Sequence, residues 1–299
     1  MYKIARALTC SCIYLLGFGT HPLPLVYDTH ADLSTDVLSP KRFRTMQSPY
    51  KNPSTASRTG LEKMQASGSG QFSVPQLHTI ITTAHPYHVI ILDFREEYHG
   101  FMNAEAISWY LLPHNQSNKG YALDDIIKHE QEALTQLRTN APVIYLIHKK
   151  IPPEGGTTTI RTLVNPQCPI TCVLKTEALI AHEHTIGYIR LPVTDRMMPT
   201  DINIDRFVDI VTTKGPKEWL HLHCRGGLGR TTTFLILYDM LLNASDVSCE
   251  DILARQAALD GKNFLFKPQE KAFFEKFYAY AQARHQGSTD TWSSWHKQK

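Results

Sequence analysis

His223-Cys224-Arg225-Gly226-Gly227-Leu228-Gly229-Arg230-Thr231 places a thiol and a guanidinium six positions apart. Before it, Trp219-Leu220-His221-Leu222 is short and apolar-rich, as a buried strand is. After it, Thr232 through Leu242 is almost continuously apolar, as a buried helix is. The stretch is therefore a strand-to-helix junction. Its three glycines let the backbone curl until successive N–H groups converge in front of a helix N-terminus, which makes an anion nest.

Cys224 stands at the mouth of this loop, where the helix-end partial charge and Arg230 favour thiolate over thiol. A thiolate can attack phosphorus. Arg230 offers a planar fork to two phosphate oxygens and offsets charge on the equatorial oxygens of a loose phosphoryl-transfer transition state. Thr231 is placed to donate a hydrogen bond to the departing sulfur, and His223 to hold the loop backbone through its ring nitrogens. The bland alternative is a buried structural cysteine beside a tight glycine turn.

Cys-x5-Arg-Thr preceded by His resembles the signature loop of the cysteine-dependent, protein-tyrosine-phosphatase-like phosphatases. The form His-Cys-x-x-Gly-x-Gly-Arg-Thr-Thr is similar to that of the bacterial cysteine phytases, which act on myo-inositol polyphosphates. In such a loop Arg225, Gly226, Gly227, Leu228 and Gly229 face the bound phosphate.

Cleaving a phosphomonoester of a poor alkoxide leaving group needs a general acid near the loop. Asp195 is the candidate, in Leu191-Pro192-Val193-Thr194-Asp195-Arg196-Met197-Met198-Pro199-Thr200. This segment joins a strand at Tyr188 to Leu191 to an amphipathic helix with Ile204, Phe207, Val208 and Val211 at helical spacing. In the resembling family a Thr-Asp-x-x-x-Pro-Thr segment carries the acid. Arg196 departs from the histidine common there and is taken as a contact for a neighbouring phosphate. A turn or helix-capping role for Asp195 is the structural alternative.

A third stretch, Asp93-Phe94-Arg95-Glu96-Glu97-Tyr98-His99-Gly100-Phe101 with Ser108-Trp109-Tyr110, also resembles the phytases, which carry a similar segment at the pocket edge. Asp93 either contacts substrate or pairs with Arg95 to brace the loop. Pro40-Lys41-Arg42-Phe43-Arg44 and Ser67-Gly68-Ser69-Gly70-Gln71-Phe72-Ser73 belong to the same likeness, which implies that Arg44 reaches a substrate phosphate; a solvated basic patch is the alternative. The resemblance runs from about Leu38 to Trp295. It implies an α/β fold: a protein-tyrosine-phosphatase-like core, with a mixed central sheet flanked by helices, and a small β-rich, partial-barrel insertion.

The β-branched runs Val143 to Ile147, Thr157 to Ile160 and Ile170 to Leu174, separated by Pro and Gly turns, fit that insertion, bounded at 141–176. Lys149, Lys150 and Arg161 are then either substrate contacts or solvent-facing strand charges. Lys267 is the corresponding choice near the C-terminus, where Phe273, Phe274, Phe277 and Tyr278 recur at helical spacing as a core stripe.

Composition agrees with one catalytic domain over 61–299. The chain has 299 residues, 42% of them hydrophobic, enough for a sizeable core. A net charge of +3, with no basic stripe interleaved with aromatics, argues against nucleic acid and leaves a small polyanion as the partner. The 15 histidines are scattered and form no zinc spacing, so neither metal nor cofactor is expected. Residues 1–20 open with Lys3 and Arg6 and continue apolar from Ala7 to Phe18, the pattern of a secretory signal. A secreted or periplasmic protein without stable membrane association is expected; an uncleaved membrane anchor or an ordinary helix is the alternative for this segment. Residues 21–60 are rich in Pro, Ser, Thr and Asn and read as an arm or linker. Export permits Cys168 and Cys172 to pair, whereas Cys224 must stay reduced to act. The expected activity is metal-independent hydrolysis of myo-inositol polyphosphates through a cysteinyl-phosphate. Alternatives are a protein-tyrosine or phosphoinositide phosphatase, and a non-catalytic phosphate-binding module.

Overall fold

The computed structural model describes residues 25–28, 38–110, 114–139, 144–149, 158–162, 173–261 and 266–298. The N-terminal signal-like segment, Lys150 and the Cys168 and Cys172 pair lie outside them. In chain order the elements are β1 (Leu25–Tyr27), β2 (Arg44–Thr45), β3 (Ala66–Ser69), α1 (Val74–Ala84), β4 (His88–Arg95), β5 (His99–Met102), β6 (Glu105–Trp109), α2 (Leu123–Thr139), β7 (Ile144–Lys149) and β8 (Thr158–Thr162). They continue with β9 (Leu174–Lys175), α3 (Glu177–Glu183), β10 (Gly187–Val193), α4 (Asp201–Thr213), β11 (Glu218–His223), α5 (Gly229–Asn243), α6 (Cys249–Asp260), α7 (Pro268–His285) and α8 (Trp292–Trp295).

Five strands form the central sheet in the order β10-β4-β11-β3-β2. The first four run parallel, and β2 closes the edge antiparallel. A parallel strand buried on both faces reads as a near-continuous apolar run, which is why β11 and the middle of β4 were legible. Because β10, β4, β11 and β3 point the same way, the segments after them emerge at one edge. These are the Asp195 loop, the Glu96-Glu97 turn, the cysteine loop and Gly70-Gln71. Ligands of open α/β sheets bind at that carboxyl edge.

Helix α5 runs through the core with Phe234, Leu235, Ile236, Leu237 and Met240 fully buried. A helix apolar all round has no solvent face to present, so it is covered on several sides, here by α6 and α7 as well as the sheet. Phe234 stacks on Phe94 of β4 with ring centroids 3.9 Å apart, and Phe207 of α4 meets Phe234 edge-on at 4.9 Å. The aromatic stripe of α7 is core as expected: Phe274 and Phe277 are buried, and Trp292 and Trp295 of α8 pack against that helix.

A second sheet, ordered β8-β7-β1-β6-β5-β9, reaches well beyond the boundaries 141–176. It takes β5 and β6 from the stretch after Arg95 and β1 from the segment read as arm or linker. Leu25 pairs with both Trp109 and Ile144. Three residues carry too little pattern to be read as a strand; pairing on both edges is what fixes them. Among the described residues, no helix is long and apolar enough to cross a membrane.

Truncating the stacked ring tests this packing. Phe234→Ala should lower unfolding free energy by about 3–5 kcal/mol, read as a lower urea midpoint with unchanged slope. A loss under about 1 kcal/mol would contradict a filled core at this position.

Candidate active site

Cys224 follows β11 directly and is buried at the base of the loop. Of the three loop glycines, only Gly227 has a left-handed backbone, with φ +68°. A Cβ there would sit 2.3 Å from the Gly70 nitrogen, so the turn and the close approach to β3 both demand glycine. Gly226 and Gly229 have open space where a side chain would be, which leaves their backbone accessible. Among the described residues, the N–H groups of Arg225, Gly226, Gly227 and Leu228 donate to no protein acceptor. Leu228 caps α5, and the helix begins at Gly229. Free amides ahead of a 15-residue helix form the nest that the sequence implied. Thr231 Oγ1 lies 3.2 Å from Cys224 Sγ, in the position expected of a donor to sulfur.

Arg230 is held from three sides. Nη1 donates to Glu97 Oε2 at 2.7 Å, to the Phe94 carbonyl at 3.1 Å and to the Val193 carbonyl at 3.0 Å, while Nη2 donates to Glu97 Oε1 at 2.8 Å. This two-pronged pair fixes the guanidinium plane. Burial opposes ionisation of Glu97, yet Arg230 and Arg95 hold its carboxyl well below the usual carboxylate range. Nη2 also reaches Asp195 Oδ1 at 3.3 Å. Asp195 is partly exposed, and its loop is fastened by Gln116, whose Nε2 donates to the Asp195 carbonyl at 2.7 Å.

Behind the loop lies a buried charged layer. Asp93 accepts from Tyr188 Oη at 2.8 Å and from the Arg95 amide at 2.8 Å. His99 Nε2 sits 3.1 Å from Asp93, and Arg190 makes a double contact with Glu130 at 3.0 and 2.9 Å. Burial and Arg95 work against a charged His99, but Asp93 and Glu130 prevail and its pKa is raised to about 9. His221 is different: burial and His223 push it well below the ordinary histidine value, and its ring nitrogens meet Ser67 and Ser69 at 2.8 and 3.0 Å.

The comparisons with known proteins fit this geometry. The PTP-like phytase family model, described as "Inositol hexakisphosphate", matches residues 92–242, half of the chain. That span holds the Glu97 turn, the Asp195 loop and the cysteine loop. The chain belongs to the PTP-like phytase family. The PTP-like myo-inositol phosphatase of Mitsuokella multacida, solved in complex with myo-inositol-(1,3,4,5)-tetrakisphosphate, is similar in fold. It has a TM-score of 0.75 and 29% identity over 92% of this chain and 49% of its own. A PTP-like phytase from Bdellovibrio bacteriovorus gives a TM-score of 0.66 at 28% identity, covering 92% of this chain and 95% of its own. Effector protein hopD2 of Pseudomonas syringae is 28% identical over 272 residues, 85% of this chain. The chain spans about half the length of the Pseudomonas and Mitsuokella proteins, 56% and 49%.

Within this PTP-like phytase fold, several residues serve differently from expectation. Arg44 does not open onto the bowl. It is buried beneath the loop, with Nη1 on the Gly227 carbonyl at 3.2 Å and near Asp260 at 3.3 Å, and Nη2 on Thr232 at 2.9 Å. It braces the loop. Burial lowers its pKa to about 10, while Asp260 and Cys224 act to keep it charged. Asp93 forms no side-chain pair with Arg95, whose guanidinium is taken by Glu97, Asp28 and Gln71. Of the two readings of Asp93, the buried brace holds, with partners other than Arg95. His223 does not hold the loop backbone: its Nε2 faces Glu177 Oε1 at 2.7 Å from α3. Arg196 is exposed with φ +62° immediately after Asp195, and Lys267 is exposed at the N-cap of α7. Lys149 ends β7 in the second sheet, opposite Thr158, and Arg161 lies in β8 opposite Leu146.

Glu97, Glu177, Gln116 and Asp28 were not singled out from sequence. The only available signal was the pair Glu96-Glu97 inside an otherwise recognised segment. The buried layer makes a measurable demand. Because the folded-state pKa of His99 lies above its ordinary 6.5, its stabilising contribution is complete below about 6.5 and lost as pH rises through about 9. The wild-type melting temperature should fall across that window, and His99→Gln, although less stable, should lack that component. Equal pH slopes in the two proteins would contradict the assignment.

Proposed function

We propose that this chain is a metal-independent phosphatase that hydrolyses phosphomonoesters of myo-inositol polyphosphates, phytate among them, through a cysteinyl-phosphate. The observation that carries the reading is that Asp195 comes within 3.3 Å of the arginine closing the cysteine loop. A nucleophile, a phosphate clamp and a proton donor thus share one bowl. The substrate class is supported by the family match and by the inositol tetrakisphosphate in the Mitsuokella complex.

The chemistry follows from the parts. A phosphomonoester enters the nest of free amides, and Arg230 takes two of its oxygens. Cys224 thiolate attacks in line, so an S–P bond forms as the P–O bond to the inositol oxygen breaks. The Asp195 carboxyl gives its proton to that leaving oxygen. In the second step the Asp195 carboxylate takes a proton from water, whose oxygen attacks phosphorus. The S–P bond breaks, sulfur leaves as thiolate beside the Thr231 hydroxyl, and Asp195 is again protonated. Glu97 keeps the Arg230 plane fixed through both steps, which is electrostatic preorganisation. Export belongs to the same proposal and rests on the basic, then apolar, opening of the sequence.

Cys224→Ser should lower phosphate release from phytate by at least about 10³-fold while inositol hexakisphosphate still binds; an unchanged rate removes the covalent route. Asp195→Asn should lose about 10²–10⁴-fold on phytate. Excess EDTA should leave turnover intact, and a loss reversed by added calcium or zinc would count against the proposal. Phytate should also be preferred to a phosphotyrosyl peptide, and a large preference for the peptide would transfer the same chemistry to a protein substrate.

A further inference from the structure

Asp28 directly follows β1, which is laddered between β6 and β7, and its amide donates to the Ala106 carbonyl at 2.9 Å. Its side chain is wholly buried, although it comes from a segment far from the catalytic motifs in sequence. One carboxylate oxygen accepts from Arg225 Nε at 2.6 Å. The other accepts from Arg95 Nη1 at 2.8 Å and from the Ser108 hydroxyl. Arg95 Nε in turn donates to Glu97 Oε1 at 3.1 Å, and Glu97 grips Arg230. Five alternating charges, Arg225, Asp28, Arg95, Glu97 and Arg230, therefore form a circuit that begins and ends in the phosphate loop. Burial disfavours a charged Asp28, yet Arg95 and Arg225 keep its carboxyl below the usual range.

The Arg225 end matters for geometry at the bowl. Its guanidinium carbon lies 4.4 Å from the Tyr110 ring centroid, a cation–π contact that fixes the plane of the group. Asp28 takes Nε of Arg225, and among the described residues its two terminal nitrogens donate to no protein acceptor. A side chain held by its Nε and its ring stack can offer those nitrogens to a ligand.

We propose that Asp28 is a positioning residue for phosphoryl transfer: the β1 segment brings a carboxylate under the phosphate loop that acts by orienting Arg225, and Arg95 anchors that carboxylate to the charged layer. The β1 segment is then part of the catalytic machinery and not a tether. This rests on the phosphatase reading above, but not on the inositol specificity.

The test is a double-mutant cycle with Asp28→Asn and Arg225→Gln in the full chain. The substrate is p-nitrophenyl phosphate, whose turnover needs no inositol recognition, and calorimetric binding of inorganic phosphate is the readout independent of turnover. Each single variant should lose about tenfold in kcat/KM, carried mainly by kcat. The double variant should lose about tenfold as well, because the two residues act as one unit. Phosphate affinity should show the same non-additive pattern. A folded Asp28→Asn protein with wild-type kcat/KM and phosphate affinity would overturn the proposal. So would losses that multiply to about a hundredfold in the double variant, as independent sites do. Should Asp28→Asn not fold, Arg225→Gln decides alone: wild-type kcat and phosphate affinity overturn the proposal, and a tenfold loss with an unchanged melting temperature sustains it. Failure of the phosphatase reading looks different, with no wild-type turnover of any phosphomonoester while phosphate binding still reports on Asp28.

Discussion

The two-pronged contact between Glu97 and Arg230 is the constraint on which the site depends. A guanidinium fully taken out of water costs several kcal/mol unless its donors are satisfied. Here Glu97 spans both terminal nitrogens, and two backbone carbonyls also accept from Nη1. That leaves the plane of Arg230 set before any phosphate arrives. Arg95 touches Glu97 from behind, so the clamp is itself clamped. The arrangement is a buried ion network, and its value lies in geometry: the same atoms replaced by apolar groups would pack as well and bind no anion.

Topology explains how four distant segments reach one bowl. Parallel β10, β4, β11 and β3 end together, and each delivers its succeeding loop to the same edge. The register puts His223 beside Asp93 across β11 and β4, which brings the base of the cysteine loop against the buried charged layer. Phe94 is the hinge between the two worlds: its ring stacks on Phe234 in the core, and its carbonyl holds Arg230. Val193 does the same: it is buried in that core, and its carbonyl also accepts from Arg230.

Legibility in the chain tracked the range of the forces involved. β11, α5, β10, α4 and the α7 stripe were legible because burial imposes a period on neighbouring residues. Cys224, Arg230 and Thr231 were legible because they lie at short spacings in one loop, Asp195 because its segment resembles the one that carries the acid in the phytases, and the structure brings the four to one place. Arg44 and His223 were found but given the wrong task, since a basic or imidazole side chain in a motif does not say which way it faces. Asp28 was missed because its partner Arg225 stands 197 positions away. Glu177 and Gln116 were missed for the same reason. The second sheet was drawn too small because β1 and the β5–β6 hairpin join it by pairing, which leaves little trace in local composition.

The similarity to the Mitsuokella and Bdellovibrio proteins at 29% and 28% identity places the core, and the proposed chemistry rests on residues of this chain. The most direct test is rapid-quench mass spectrometry of the wild-type protein during turnover of phytate. A cysteinyl-phosphate route predicts one phosphoryl group on the peptide containing Cys224, appearing before free phosphate reaches steady state. Phosphate release with that peptide unmodified throughout would contradict it.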